Sequence, residues 1–288
     1  MLYLALAILG SGVIPVIFRA FEGWRVNLFW AIPVNYVTCV AIGSVLAGDS
    51  FSLSQLIGQP WIALAALQGL LLAVNFFLLA HTAQRAGVAI AALASRLSVA
   101  IPSVLAFMLY GDSLTPVKIL GLATALLALY LCTAPERNSG GLGSKLFQLL
   151  PLLVFITFGC YFTILKYLQS HYLDAATYHS YVMAGFSFAF LSSLAIGFGK
   201  GVISTAEFRF LHVLAGFGLG LVNDAAVYSL LRVLALEGWQ SSQLYPIYSV
   251  GVVAVSTVLA FVCFRERLSR QKAMGLAVGL IAVALLNQ

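Results

Sequence analysis

Leu2–Phe18, Val26–Ala47 and Pro60–Leu79 contain no Asp, Glu, Lys or Arg. Each run is close to the roughly 20 residues that a helix needs to cross about 30 Å of hydrocarbon. Water is absent from that layer, so every backbone N–H and C=O must be satisfied internally, by a helix or a closed barrel. A barrel strand would alternate apolar and polar residues over about ten positions, and these runs do not alternate. The residues therefore predict an all-α integral membrane protein. Composition agrees: 62% of residues are hydrophobic and 8% charged, whereas a soluble domain carries about 25% charged residues.

Breaks at Gly, Pro and charge clusters predict ten transmembrane helices, over 2–21, 26–47, 60–83, 87–110, 114–133, 147–169, 175–198, 209–234, 240–264 and 268–287. The segment Met1–Phe18 has no basic leader and no small-residue cleavage site, so it is expected to be a retained first helix. Residues 134–146, rich in Gly, Ser and charge, read as a linker between two halves. Cys39, Cys132, Cys160 and Cys263 fall within or at the ends of apolar runs and show neither a disulfide framework nor metal-ligand spacing. The net charge of +6 points to orientation in a bilayer, with no nucleic-acid partner. Arg19, Arg25, Arg85, Arg137, Lys145, Lys200, Arg209, Arg265, Arg267, Arg270 and Lys272 lie after odd-numbered helices. Only Lys118, Lys166 and Arg232 lie after even-numbered ones. Basic loops stay in the cytoplasm, so both termini are expected outside it, in a cell inner membrane.

Two stretches repeat. Ser95-Arg-Leu-Ser-Val-Ala-Ile-Pro-Ser-Val-Leu-Ala-Phe107 lies over Ser249-Val-Gly-Val-Val-Ala-Val-Ser-Thr-Val-Leu-Ala-Phe261. At the same shift Asp112 meets Glu266, Leu114 meets Leu268, Lys118 meets Lys272 and Gly121 meets Gly275. Weaker matches pair Gly12 and Arg19 with Gly159 and Lys166, and Val74-Asn75 with Val222-Asn223. Residues 1–133 and 147–288 thus read as two five-helix units. An odd helix count forces the second to cross the membrane in the opposite sense, which is a recurrent architecture of secondary transporters. Asp112-Ser-Leu-Thr-Pro-Val-Lys-Ile-Leu-Gly121, Arg265-Glu-Arg-Leu-Ser-Arg-Gln-Lys-Ala-Met-Gly275 and His81-Thr-Ala-Gln-Arg-Ala-Gly87 resemble signatures of the EamA domain. The resemblance covers nearly the whole chain as two such units. It implies a ten-helix member of the drug/metabolite transporter superfamily, with a cavity lined mainly by helices 1, 3, 4, 6, 8 and 9. One departure is that Gly48–Gln59 has none of the basic residues usual after helix 2, which implies an orientation reversed relative to many relatives.

Ionisable groups within hydrocarbon are functional candidates by default. Arg96, near the centre of helix 4, carries an insertion cost of about 2.5–3.5 kcal/mol and needs a wet cavity or a partner. Asp224, inside helix 8, is the acidic residue of comparable depth. The two could form a buried pair that locks helices together, or receive the anionic and cationic groups of a substrate. Gln68, Asn75 and Thr82 recur at seven-residue spacing on one face of helix 3. Ser242, Tyr245, Ser249 and Ser256 do likewise on helix 9, where Pro246 is expected to kink the helix. Asn223 and Tyr228 on helix 8, Thr157 and Tyr161 on helix 6 and Ser11 on helix 1 complete the polar set. Asp224 and His81 are the proton-coupling candidates, with His179 a weaker one beside Tyr178 and Tyr181. Trp24, Trp30, Trp61 and Trp239 read as interfacial belt residues.

One fixed cation and one fixed anion beside aromatic groups suit an amino-acid-like or other zwitterionic solute. The leading expectation is a secondary transporter of a small polar metabolite, working by alternating access and acting as a monomer or homodimer. A multidrug or organic-cation exporter of the same fold is the alternative, and Arg96 counts against it. An intramembrane enzyme is disfavoured: no paired metal-ligand His, Gly-x-Ser-x-Gly elbow, aspartate pair or phosphate loop is present. No cofactor and no metal are expected.

Overall fold

The computed structural model describes residues 2–47, 58–110, 115–133, 142–173, 177–199, 208–234, 241–266 and 269–286. Its helices are α1 (Leu2–Gly23), α2 (Leu28–Ala47), α3 (Ile62–Arg85), α4 (Val88–Leu97), α5 (Ala100–Tyr110), α6 (Pro116–Thr133), α7 (Leu142–His171), α8 (Tyr178–Gly199), α9 (Phe210–Leu234), α10 (Ser241–Phe264) and α11 (Arg270–Leu286). Among the described residues there is no strand. Among the described residues, eight helical segments are long and apolar enough to cross a membrane, α4 and the start of α5 forming one of them, and Pro116–Cys132 is a shorter apolar helix. Large apolar side chains also face outward, among them Leu120, Leu126, Tyr130, Leu214, Phe261 and Val262. A water-facing surface rarely carries apolar patches on that scale. The chain is a multi-pass, all-α membrane protein.

Two helix features differ from the sequence reading. The helix expected over 87–110 is broken at Ser98–Val99. Pro102 has no N–H to give the Ser98 carbonyl, and its ring crowds that carbonyl. Shorter turns replace the α-ladder there: Val99 N bonds Arg96 O at 3.5 Å and Ile101 N bonds Ser98 O at 3.1 Å. Serine hydroxyls take up further carbonyls, Ser98 donating to Ser95 O at 2.5 Å and Ser103 to Val99 O at 2.9 Å. Pro246 lies in the first two turns of α10, which is continuous through it. Finally α7 begins at Leu142, so residues 142–146 of the expected linker are helical; nothing in Leu-Gly-Ser-Lys forbids a helix from starting before its apolar run.

Two compact units occur. Unit 1 comprises Met1–Ala20, Leu78–Gly159 and Ala225–Gln288; unit 2 comprises Phe21–Phe77 and Cys160–Asp224. These units do not follow the halves 1–133 and 147–288, because each draws on both. In unit 1, α6 lies along α11 and α4 packs on α10 and α11. Close approach depends on glycines whose Cβ would meet a neighbour. Gly121 faces Leu285, while Gly275 faces Leu131 and Cys132. Likewise Gly12 faces Val255, and Gly159 faces Ile101. A core of Leu4, Ala7, Val233, Leu244, Tyr248 and Val252 joins α1, α9 and α10. In unit 2, α2 packs on α8, Gly69 of α3 faces Phe188 of α8, and Gly216 of α9 faces Ala31 and Val34 of α2. Trp61 is buried there, edge-on to Tyr181 with ring centroids 5.9 Å apart, so it is a core residue and not a belt residue. Trp30 packs edge-on against Phe208, Trp24 is exposed, and Trp239 lies outside the described residues.

Candidate functional site

Unit 1 presents a cation on a buried, interrupted helix. Every residue of α4 is buried except Arg96. A helix apolar all round belongs inside a bundle, and six of the ten residues of α4 are Ala, Val or Ile. Arg96, one turn from the break at Ser98–Val99, is therefore the point where α4 meets accessible space. Its guanidinium carbon stands 4.9 Å from the centre of the Tyr248 ring, a cation–π distance. Tyr248 in turn shares a 2.7 Å hydrogen bond with the Ser11 hydroxyl. The Nε of Arg96 is buried and has no hydrogen-bond partner among the described residues. Such a group is a strong donor to a planar oxyanion once one arrives. Ser249 is buried beside Tyr248 in the chain, and Ser256 donates to Gly12 O at 2.9 Å.

Unit 2 holds an uncharged network with one carboxylate at its edge. Asn223 Nδ2 donates to Asn35 Oδ1 at 3.3 Å and lies 3.7 Å from Cys39 Sγ. The Cys39 thiol points to Gly220 O at 3.6 Å, and Asp224 is close enough to act on it electrostatically. Tyr36 donates to Leu72 O at 2.9 Å. Gln68 is satisfied at both ends, since Nε2 donates to Tyr161 O at 3.4 Å and Oε1 accepts from the Tyr181 hydroxyl. Asn75 is different. It is fully buried, and neither its Nδ2 nor its Oδ1 has a partner among the described residues. An unmet buried amide costs about 1–3 kcal/mol, and among the described residues of unit 2 Asn75 is the side chain with both polar atoms in that state.

The polar stripe expected on helix 3 thus separates by role. Thr82 bonds its own helix at Leu78 O and Gln68 serves packing, which leaves Asn75. Arg96, Ser249 and Ser11 fall in unit 1, while Asn75, Asn223, Gln68, Tyr161 and Asp224 fall in unit 2. Tyr228 is exposed and accepts a 2.8 Å hydrogen bond from Arg232 Nε. His81 is exposed near the end of α3, and Thr157 bonds Leu153 O of its own helix. The side chains of Ser242, Tyr245 and His179 lie outside those described. Sequence reasoning missed Asn35, Tyr36, Cys39 and Tyr248. Asn35 was findable, because an Asn in the uncharged run Val26–Ala47 obeys the same rule that singled out Arg96. No group of three His, Cys, Asp or Glu side chains able to hold a metal occurs among the described residues.

No family model matches the chain. A protein of Haemophilus influenzae described as uncharacterized is 24% identical over 289 residues, spanning 97% of this chain and 95% of that one. A solved structure described only as a crystal structure of a protein superposes over 99% of this chain and 94% of its own, with a TM-score of 0.58 at 18% identity. At that identity the likeness concerns the fold alone.

Proposed function

We propose that the chain is a secondary transporter of a small polar, anion-bearing metabolite, an amino-acid-like solute fitting best. In this reading it is a ten-helix, EamA-type member of the drug/metabolite transporter superfamily. It sits in the inner membrane with both termini outside the cytoplasm, and two inverted five-helix repeats share a midplane site. The observation that carries the reading is Arg96, the accessible cation of an otherwise buried helix that is broken beside it. Interrupted helices at mid-membrane are where transporters of inverted-repeat design hold their substrates. Its Nε has no hydrogen-bond partner among the described residues, which leaves a donor for the oxyanion of an incoming solute.

The inverted repeat is supported by reciprocal packing. At the shift that superposes 95–107 on 249–261, Gly121 corresponds to Gly275 and Leu131 to Leu285. Gly121 faces Leu285 and Gly275 faces Leu131. The pair Gly12 with Val255 and the pair Gly159 with Ile101 exchange in the same way. Two related halves that each lend the same elements to a common unit would produce such exchanges.

Uptake into proteoliposomes tests the proposal, with amino acids, amines, nucleosides and sugars offered with and without a pH gradient. Saturable uptake of a zwitterionic or anionic solute supports it. Uptake confined to organic cations would favour the exporter reading, and no uptake of any solute class would remove the transport reading.

A further inference from the structure

The guanidinium of Arg96 is engaged on one side and open on another. Its carbon sits over the Tyr248 ring, 4.9 Å from the ring centre, where the ring attracts a cation. Its Nε is buried and has no hydrogen-bond partner among the described residues. Arg96, Tyr248 and Ser11 all belong to unit 1, so the arrangement lies within one compact body.

The ring is held at both of its ends. Tyr248 is buried in the core that it shares with Leu4, Ala7, Val233, Leu244 and Val252, drawn from α1, α9 and α10. At its tip the Tyr248 hydroxyl shares a 2.7 Å hydrogen bond with the Ser11 hydroxyl of α1. The helix that carries Arg96 is anchored as well. Gly87, at φ 113°, has no side chain with which to cap α4. Glu266, just beyond α10, does so instead, its Oε2 accepting from the Val88 N–H at 3.1 Å. Arg96 therefore reaches from an anchored helix onto an anchored ring. A long side chain held in this way has less rotamer freedom to lose when a ligand arrives.

The ligand group follows from what the guanidinium has left to offer. Nε–H and the neighbouring terminal N–H point the same way, a fork that matches the two oxygens of a carboxylate. No other Lys or Arg lies in α4 or α10, and the Tyr248 ring already takes up part of the charge of Arg96. One cation with a two-pronged edge suits a monoanionic carboxylate better than a phosphate dianion, which calls for more positive charge.

We propose that Tyr248 is the positioning residue of this site, with Ser11 as its tether, and that the Nε edge of Arg96 takes the carboxylate of the solute. That the carboxylate belongs to a transported solute rests on the transport reading; the ring, the tether and the carboxylate site can be tested without it.

Magnetic resonance of the full chain in lipid nanodiscs, isotopically labelled at the arginine nitrogens, reads the site directly. The Arg96 Nε–Hε signal, identified by its loss in Arg96→Lys, is expected upfield of other arginines because of the Tyr248 ring. Tyr248→Leu should return it downfield. Sodium acetate is the probe. It should move the wild-type signal downfield and saturably, as a hydrogen bond forms at Hε, and sodium chloride at equal ionic strength should not. Tyr248→Phe keeps the ring and the core volume but loses the tether. It is expected to keep a melting temperature near that of the wild type and to bind acetate several-fold more weakly. Ser11→Ala should do the same, and the double variant should lose no more than either single one, because both remove a single hydrogen bond. An Hε signal indifferent to the ring, equal responses to acetate and chloride, or acetate affinity unchanged in both Tyr248→Phe and Ser11→Ala overturns the proposal. So do losses that add in the double variant. Acetate binding as described with no uptake of any solute would remove the transport reading alone. Solute uptake with acetate binding indifferent to both substitutions would remove this inference alone.

Discussion

Asn223 of α9 donates from Nδ2 to Oδ1 of Asn35 on α2 across 3.3 Å, and both amides are buried in unit 2. Hydrogen bonds between membrane helices are worth about 0.6 kcal/mol on average and up to about 1.7. A double-mutant cycle of Asn35→Ala and Asn223→Ala, followed by unfolding in mixed micelles, should therefore show a coupling of that size. Additive effects would mean that the two amides do not stabilise each other.

The seam between α6 and α11 depends on the absence of side chains. A Cβ on Gly121 would lie 3.0 Å from Leu285 Cβ and from the Leu286 backbone nitrogen. Leu286 N is backbone and cannot swing aside, so Gly121→Ala is expected to destabilise by about 1–3 kcal/mol. Gly185→Ala makes the control: a Cβ there meets nothing within 4 Å, and a helical Gly to Ala change stabilises by about 0.5–1 kcal/mol. Thermal unfolding in detergent should rank the two variants on opposite sides of the wild type.

Gly87→Ala combines two penalties that a second substitution can separate. The positive φ costs about 1–3 kcal/mol by itself, and the new methyl group also collides with Glu266. In a Glu266→Ala background the collision is gone and the strain remains. The loss of stability caused by Gly87→Ala should therefore be smaller in that background, and equal losses in both would contradict the contact.

The proposed orientation rests on the placement of Lys and Arg. A cysteine introduced at Asn138 is expected to react with an impermeant reagent only from the cytoplasmic side, and one at Gly48 only from outside. Labelling of position 138 in intact cells would invert the proposed topology.

The membrane-spanning helices were legible because hydrocarbon thickness dictates their length and their lack of charge. Arg96 was legible for the same reason, as a charge where none should be. The break at Ser98–Val99 was not, because Pro102 acts on a carbonyl one turn earlier and the segment stays apolar throughout. Trp61 was misread: a Trp beside a helix end looks the same in sequence whether it meets lipid headgroups or Tyr181. Asn75 was named, but nothing in the spacing of Gln68, Asn75 and Thr82 distinguishes a satisfied amide from an unsatisfied one. That distinction depends on which distant helix arrives opposite. Membership of the two units was equally hidden, since Gly12 meets Val255 and Gly159 meets Ile101 through contacts that no local pattern encodes.

The claim that Arg96 serves transport is tested most directly by substrate uptake in proteoliposomes carrying Arg96→Leu, with Arg96→Lys and Asp224→Asn alongside. Because Arg96 has accessible surface, the Leu variant should insert and fold with a melting temperature near that of the wild type. Its uptake should fall by at least about tenfold, the loss of roughly 1.4 kcal/mol expected when one charge-assisted hydrogen bond of about 1.5–3 kcal/mol is removed. Arg96→Lys, which keeps the charge without the planar fork, should retain part of the activity, and Asp224→Asn should also be impaired. Full uptake by a correctly folded Arg96→Leu protein would contradict the account.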